Sequence, residues 1–279
     1  MPETRFASIS GDVTLAYEEF GDPGAPPLLL IAGLGAQMIS WHEPLCELLA
    51  ERGLRVIRFD NRDSGLLTHA DWPDSLEAMA ADAAGLLDVL GIESAHVVGV
   101  SMGGMIAQAL AYEHPERVRS LVSLMSTTGE RAVSQPTPEA QEVLTRPRST
   151  TADEAEERSL EWVRVVGSPG LFDEQLVRER ARTAFERDSD PTGFQRQLDA
   201  IYSARDRTAR VREIEAPALV IHGALDPLIP PEAGRATAAA IDGAELLVIE
   251  GMGHDMPPPL WPKLAEAMAG HVERTEGPT

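Results

Sequence analysis

The stretch Val97-Val98-Gly99-Val100-Ser101-Met102-Gly103-Gly104 joins two kinds of hydrophobic pattern. A run of apolar, β-branched residues stops at Gly99, and a helix-forming run begins at Met105. Strand, sharp turn and helix are the setting in which the pattern G-x-S-x-G presents a nucleophilic serine. The residues two before and two after that serine must lack bulky side chains because the turn is tight, and both are glycine here. The stretch therefore predicts that Ser101 is a nucleophile.

A serine hydroxyl needs a general base, and the base needs a carboxylate that orients it. Among the seven histidines, only His254 lies in a flexible loop directly after a predicted strand near the C-terminal end. Asp226 follows another strand, whereas the strand before that one ends in Ser126-Thr127-Thr128, without an acid. Asp255 is adjacent to His254, but neighbours in a loop seldom point the right way to hold the imidazole. The order Ser101, Asp226, His254 therefore predicts a Ser-His-Asp triad at the carboxyl ends of parallel strands.

A triad also needs two backbone N–H groups that bind the negative oxygen of the reaction intermediate. One is expected on Met102, the residue after the nucleophile. The other is expected in the loop after the third predicted strand, where Gly33-Leu34-Gly35 allows close backbone approach, and we assign it to Leu34. Because both donors are backbone groups, their side chains could change without loss of the function.

Apolar runs alternate with helical patterns over most of the chain. The predicted strands cover residues 5–10, 13–20, 27–31, 54–60, 95–100, 118–125, 218–221 and 246–249. The predicted helices between them cover residues 43–51, 75–90, 105–111, 231–241 and 261–271. The first two strands flank Gly11-Asp12 and are predicted to form an antiparallel hairpin. The alternation that follows predicts an α/β fold with a mostly parallel, doubly wound sheet.

Between residues 127 and 212 the sequence shows only helical patterns and no apolar run typical of a buried strand. We predict that this segment is a helical cap inserted into a single core made of residues 1–126 and 213–279. Its aromatic residues also fit packing within the cap. Those that could line a substrate pocket are Trp162, Phe185 and Tyr202. Residues 273–279 are predicted to be disordered.

Composition and charge limit the classes of partner that this protein is expected to bind. A formal net charge of −21 argues against nucleic acid and anionic membranes. The N-terminus carries no signal-peptide pattern, and the longest apolar run, residues 28–36, is too short to span a membrane. The single cysteine, Cys46, cannot form an internal disulfide, which suits the cytoplasm. His42, Cys46 and Glu47 lack the spacing of a metal site, so we expect neither a metal nor a cofactor.

With the three triad residues in this order, the chain resembles α/β-hydrolase fold serine hydrolases over nearly its full length outside the cap. Two loops, Phe59-Asp60-Asn61-Arg62-Asp63-Ser64-Gly65 and Gly251-Met252-Gly253-His254-Asp255-Met256-Pro257, resemble those of aclacinomycin methylesterases and related small esterases. Ser101-Met102-Gly103-Gly104-Met105 is also similar to 3-oxoadipate enol-lactonases. One departure is Ala32-Gly33, where many relatives carry His-Gly. The resemblance implies the α/β-hydrolase fold.

The predicted function is a cofactor-free serine hydrolase that cleaves a carboxylic ester through an acyl-enzyme on Ser101. His254 is expected to act as general base, and Asp226 to fix its tautomer. The same triad is compatible with enol-lactone hydrolysis, C–C bond hydrolysis and cofactor-free perhydrolysis, and the same fold with a ligand-binding receptor. The expected partner is a small-molecule ester or lactone, and the sequence sets no oligomeric state.

Overall fold

A single sheet of eight strands lies at the centre of the computed structural model, which describes residues 2–9, 13–66, 75–190 and 192–277. The strands are β1 (Arg5–Ser8), β2 (Thr14–Phe20), β3 (Pro27–Ile31), β4 (Arg55–Phe59), β5 (Ala95–Val100), β6 (Val118–Leu124), β7 (Ala218–Gly223) and β8 (Glu245–Ile249). The helices are α1 (Glu43–Ala50), α2 (Leu76–Val89), α3 (Met102–Glu113), α4 (Pro138–Thr145), α5 (Ala152–Val166), α6 (Glu174–Arg187), α7 (Thr192–Ser203), α8 (Thr208–Val211), α9 (Pro231–Ala240) and α10 (Trp261–Glu276). The turn of the predicted hairpin, Gly11-Asp12, lies outside the described residues.

The strands follow the order β1-β2-β4-β3-β5-β6-β7-β8 across the sheet. β1 and β2 pair antiparallel, as do β2 and β4, whereas every later pair is parallel. The chain leaves β3 for β4 on one side and returns to β5 on the other, which makes this point a topological switch. Ile31 pairs with Phe59 on one side and Gly99 on the other, so these three strands end at the same level. A site is expected just beyond these ends.

Successive residues of the central strands point to opposite faces of the sheet. Leu29 and Ile31 of β3 belong to a buried cluster that includes residues of α2, α3 and α9, whereas Leu28 and Leu30 belong to a second cluster that includes residues of α1 and α10. All five residues of β3 are buried, as the continuous apolar run predicts. Because close-packed helices cover both faces, the strand ends are held firmly in place.

Between β6 and β7 the described residues form the helices α4 to α8 and no strand. We call residues 127–212 the helical insertion. Arg207, near its end, is buried and donates hydrogen bonds to Gln108 Oε1 of α3 and to the carbonyl oxygen of Thr127. These bonds fix the insertion to the sheet domain at the point where the chain leaves and re-enters it. No helix within the described ranges is long and apolar enough to cross a membrane.

The C-terminal segment is more ordered than the sequence predicts. Disorder was predicted for residues 273–279, but α10 continues to Glu276, and residues 278–279 lie outside the described residues. The carboxylate of Glu276 accepts hydrogen bonds from His96 Nε2 at 2.9 Å and from Arg119 Nη1 at 3.1 Å. These contacts with β5 and β6 stabilise the last turn of the helix.

Candidate active site

Ser101 occupies the tight turn between β5 and α3, with φ 55° and ψ −120°. A positive φ is unfavourable for a residue with a Cβ, and hydrogen bonds from neighbouring strands hold it here. The Ser101 N–H donates to the Leu124 carbonyl at 2.9 Å, and the Ser101 carbonyl accepts from Ser126 Oγ at 2.8 Å. A Cβ at Gly99 would collide with the backbone of Gly103, and one at Gly103 would collide with the end of β3. The two glycines are therefore required for this turn.

His254 lies in the loop after β8 and faces both other members of the predicted triad. Its Nδ1 is 2.7 Å from Asp226 Oδ2, and its Nε2 is 3.0 Å from Ser101 Oγ. An ionised carboxylate only accepts hydrogen bonds, so Nδ1 carries the ring proton and Nε2 is left to accept from the serine hydroxyl. The structure thus brings the three residues together in the geometry of a nucleophile, a base and an orienting acid.

The Asp226 carboxylate is buried and held by several donors. Its Oδ1 accepts hydrogen bonds from the backbone N–H groups of Leu228 and Ile229, each at 2.9 Å. Burial acts to raise the pKa of this carboxyl, but the charge of His254 and several hydrogen bonds outweigh it and lower the pKa to about 2. Asp226 is therefore ionised at neutral pH.

His222, at the end of β7, lies next to the Asp226 carboxylate. Its Nε2 is 2.8 Å from the Ile229 carbonyl oxygen and 3.5 Å from Asp226 Oδ2, so Nε2 carries a proton that faces both acceptors. The ring is fully buried, and a Cβ at Gly234 of α9 would collide with it. Because Gly234 has no side chain, the His222 ring can pack beside Asp226.

The loop after β3 passes directly beside Ser101. A Cβ at Gly33 would lie 3.4 Å from the Ser101 Cβ, and Leu34 lines the same cavity as Ser101. Met102 is the first residue of α3, where backbone N–H groups have no partner within the helix. The amides of Leu34 and Met102 remain our candidates for binding the oxyanion.

Gln197 of α7 fixes this loop from the helical insertion. Its Oε1 accepts a hydrogen bond from the Gly35 N–H at 2.8 Å, and its Nε2 donates to the Arg62 carbonyl at 2.7 Å. The side chain is fully buried. One amide side chain therefore joins two loops at the carboxyl edge of the sheet, one of them carrying Leu34.

The loop that carries His254 is also attached to the insertion. The His254 N–H donates to the Val166 carbonyl at 2.6 Å, at the end of α5. Ser168 binds the residues on both sides: its hydroxyl accepts from the Gly253 N–H at 2.9 Å, and its N–H donates to Asp255 Oδ1 at 2.9 Å. Asp255, set aside above as an orienting acid, binds the insertion instead.

A cavity of about 800 Å³ lies between the sheet edge and the insertion, and Ser101 and His254 line it. This volume falls within the range of small-molecule sites. The predicted pocket residues all line it, namely Trp162, Phe185 and Tyr202. Tyr202 has 57% of its surface exposed, so it belongs to the cavity rim.

Two further titratable side chains, His42 of the cavity lining and Cys46 of α1, are held in their neutral forms. Burial, together with the charges of Arg180 and Arg58, lowers the pKa of His42 to about 4, so this imidazole is neutral at pH 7. Burial raises the pKa of the Cys46 thiol to about 12, which suppresses the nucleophilic thiolate. Within the part of the chain that the structure describes, no group of three or more His, Cys, Asp or Glu side chains could hold a metal ion.

The loop after β4, one of the two that carry the resemblance to small esterases, forms ion pairs with α2 and α7. Arg62 Nε donates to Asp82 Oδ2 of α2 at 2.5 Å, and Arg62 Nη2 donates to Asp82 Oδ1 at 2.7 Å. Asp63 forms an ion pair with Arg196 of α7 at 2.6 Å. The loop thus connects the core helix α2 with the helical insertion.

Sequence reasoning did not find Gln197, Ser168 or His222. The partners of the first two lie 162 and 87 residues away along the chain, a separation that no local pattern records. His222 did give a signal, because a histidine inside a continuous apolar strand, four residues before the predicted acid, needs a buried partner.

Residues 26–257 match the protein-family model described as alpha/beta hydrolase fold. The chain belongs to this family. The family and the eight-stranded, mostly parallel sheet confirm the fold class predicted from the sequence, and the protein is accordingly a hydrolase.

Individual relatives of this hydrolase match it over most of their length. Rhodomycin D methylesterase DnrP of Streptomyces peucetius is 33% identical, with 94% of this chain and 95% of the relative covered. A 2-hydroxy-6-oxononadienedioate/2-hydroxy-6-oxononatrienedioate hydrolase of Paraburkholderia xenovorans is 31% identical, with 90% and 87% covered. The crystal structure of the enol-lactonase from Burkholderia xenovorans LB400 matches with a TM-score of 0.76 and 25% identity, over 98% of this chain and 99% of that one.

Proposed function

We propose that this hydrolase cleaves a carboxylic ester through an acyl-enzyme formed on Ser101. The observation that carries the proposal is the pair of contacts made by His254, 3.0 Å to Ser101 Oγ and 2.7 Å to Asp226 Oδ2. Such an arrangement lets the imidazole take the hydroxyl proton while the carboxylate stabilises the imidazolium that forms. The methylesterase among the relatives supports an ester as the substrate.

Acylation begins when Ser101 Oγ attacks the ester carbonyl carbon and His254 Nε2 takes the hydroxyl proton. The N–H groups of Leu34 and Met102 donate to the oxyanion of the tetrahedral intermediate, and losing one such donor typically costs about 2.7–4 kcal/mol. The intermediate then expels the alcohol oxygen, which receives the proton from His254. Throughout, Asp226 keeps His254 Nδ1 protonated and the ring in place.

Deacylation repeats these steps with water. His254 Nε2 removes a proton from a water molecule, the hydroxide attacks the acyl carbonyl, and the same two amides hold the oxyanion. Ser101 Oγ leaves with the proton that His254 returns, and the carboxylic acid is released. No cofactor takes part in either half-reaction.

We further propose that residues 127–212 act as a cap over a core formed by residues 1–126 and 213–279. The cavity between the two parts, with Trp162, Phe185 and Tyr202 in its lining, supports a small-molecule substrate whose shape the cap selects. The bonds from Gln197 and Ser168 to the loops around Ser101 support a cap that also positions the catalytic groups.

Hydrolysis of an enol-lactone or a C–C bond on the same triad is the second candidate. The enol-lactonase and the dienedioate hydrolase among the relatives favour it. Both reactions pass through an oxyanion at the same position, so they require the same residues.

The direct test is steady-state hydrolysis of p-nitrophenyl esters over a series of acyl lengths. Wild-type protein is expected to turn them over, and Ser101→Ala and His254→Ala are expected to lose at least about a thousandfold in kcat. Ser159→Ala removes another serine of the cavity lining and serves as the matched control, with activity expected to stay near wild type. Near-wild-type turnover by folded Ser101→Ala would refute the mechanism. Turnover of enol-lactones without turnover of esters would favour the second candidate.

A further inference from the structure

The cavity differs in charge from the rest of the protein. The whole chain carries a net charge of −21. Among the described residues that line the cavity, however, six arginines face four aspartates, without a lysine or a glutamate. The arginines are Arg131, Arg148, Arg158, Arg180, Arg205 and Arg207, and the aspartates are Asp173, Asp188, Asp190 and Asp255. A pocket with excess positive charge inside an acidic protein attracts anionic ligands.

The aspartates and most of the arginines of the cavity also differ in whether they already have hydrogen-bond partners. Each of the four aspartates accepts at least one backbone N–H hydrogen bond. Arg158 and Arg207 donate to backbone carbonyl groups. The other four arginines donate no side-chain hydrogen bond and form no ion pair with the described residues. Their donors therefore remain available to a ligand.

Arg148 lies beside the loop that carries Leu34. Its guanidinium carbon is 5.0 Å from the centroid of the Phe194 ring, and its Nη1 is 3.6 Å from the position that a Cβ on Gly35 would take. Gly35 follows Leu34, whose amide is a candidate donor to the oxyanion. A group bound by Arg148 would therefore lie beside the loop that carries this candidate donor.

Hydrogen bonds fix the backbone that leads to Arg148. Arg158 Nη1 donates to the Arg146 carbonyl at 2.8 Å and also to the Pro147 carbonyl, which fixes the segment leading to Arg148. Burial by nearby protein atoms lowers the pKa of the Arg148 guanidinium, and the charge of the Asp188 carboxylate acts in the opposite direction without bonding to it. The exposed part of the Arg148 side chain lines the cavity.

Arg180 of α6 provides a second cation in the same cavity. It is half-buried and acts on His42, whose low pKa has the charge of Arg180 among its causes. Burial and the charge of Arg58 lower the pKa of Arg180 itself, and the charges of Glu43 and Glu179 act in the opposite direction. Because burial still lowers the pKa and no carboxylate of the described residues is hydrogen-bonded to Arg180, a carboxylate that enters the cavity would stabilise its charge.

We propose that Arg148 binds a carboxylate carried by the substrate, with Arg180 as a second cation of the same cavity. The preferred substrates are therefore esters that retain a free carboxylate on the acyl part, such as half-esters of dicarboxylic acids, or lactones with a free carboxylate. The planar guanidinium suits a carboxylate because two parallel N–H donors match its two oxygens. This inference rests on the ester hydrolysis proposed above and adds the class of substrate.

The test compares mono-p-nitrophenyl adipate with p-nitrophenyl hexanoate, which have acyl chains of equal length and differ in the terminal carboxylate. Wild type is expected to favour the adipate half-ester by about tenfold to a hundredfold in kcat/KM, the size of a hydrogen bond to a charged group. Arg148→Gln is expected to remove most of this preference, and Arg180→Gln part of it. Arg235→Gln removes an exposed arginine of α9 outside the cavity, and both rates should stay at wild-type values.

Equal kcat/KM for the two esters in wild type, or a preference that survives in Arg148→Gln, would overturn the proposal. Unselective hydrolysis of both esters would leave the ester mechanism standing while rejecting the carboxylate site. Absence of turnover, together with absence of covalent labelling of Ser101 by a fluorophosphonate, would instead reject the function on which the proposal rests.

Discussion

Asp255 Oδ1 accepts hydrogen bonds from both the backbone N–H and the hydroxyl of Ser168, so the residue after His254 is bound to the helical insertion. The same hydroxyl accepts the Gly253 N–H. The backbone on each side of the proposed base is therefore held by one serine of the proposed cap. Catalysis should consequently depend on a residue that does not line the cavity.

Ser168→Ala tests this dependence. The variant leaves the Gly253 N–H without its acceptor and Asp255 with one donor fewer, which is expected to cost about 1–3 kcal/mol of unfolding free energy. We also expect a loss of about tenfold in kcat, because small displacements of catalytic groups reduce rates strongly. Urea denaturation and steady-state kinetics measure the two effects, with Ser159→Ala as the control. Wild-type kcat in Ser168→Ala would contradict the account.

Gln197→Leu tests the support of the oxyanion loop. It removes both hydrogen bonds and leaves the Gly35 N–H and the Arg62 carbonyl unsatisfied. We expect kcat to fall by about tenfold to a hundredfold, the range that one badly placed oxyanion donor would produce, with a smaller change in KM. Gln195→Leu, an exposed glutamine on the same helix, is the matched control. An equal effect of the two variants would contradict a specific role for the two hydrogen bonds of Gln197.

The pKa of Asp226 predicts how stability depends on pH. Its folded-state value of about 2 lies below the ordinary value of 3.8, so the ionised carboxylate stabilises the fold above about pH 4. This contribution is lost as the pH falls through about 2, because the unfolded chain then binds the proton more readily. The difference in unfolding free energy between wild type and Asp226→Asn should therefore shrink from pH 5 toward pH 2. A difference that stays constant over this range in urea titrations would contradict the prediction.

Two glycine substitutions should have opposite effects on stability. Gly99→Ala places a methyl group against the backbone of Gly103 and should destabilise the protein by about 1–3 kcal/mol or more. Gly270→Ala in α10 meets only the end of the Arg274 side chain, at 3.5 Å, and should stabilise it by about 0.5–1 kcal/mol through helix propensity. Thermal unfolding measures both. Equal stability of the two variants would mean that the turn around Ser101 tolerates a side chain.

Local patterns were enough to predict the sheet. Continuous apolar runs such as Pro27–Ile31 mark strands buried on both faces, and helical patterns between them require parallel crossovers. The candidate triad followed from similar local signals, since Ser101 lies in a short motif and Asp226 and His254 each follow a strand. Chain order and sheet topology then placed the three at one edge.

Contacts between distant segments were not predictable in this way. The disorder predicted for the C-terminal segment failed because Glu276 bonds with His96 and Arg119, which lie 180 and 157 residues away along the chain. Gln197 and Arg148 likewise lie beside a loop, around Gly35, that only the folded chain brings near them. Polar residues on a helix or loop look like solvated surface until their partners are known.

The central claim is that Ser101 is the nucleophile, and covalent labelling tests it most directly. Wild-type protein is treated with a fluorophosphonate, the labelled peptide is identified by mass spectrometry, and the remaining esterase activity is measured on the same sample. We predict one label per chain, located on Ser101, with activity lost in proportion, and labelling slowed by at least about a hundredfold in His254→Ala. Full activity after complete labelling of Ser101, or activity lost through a label on another residue, would contradict the account.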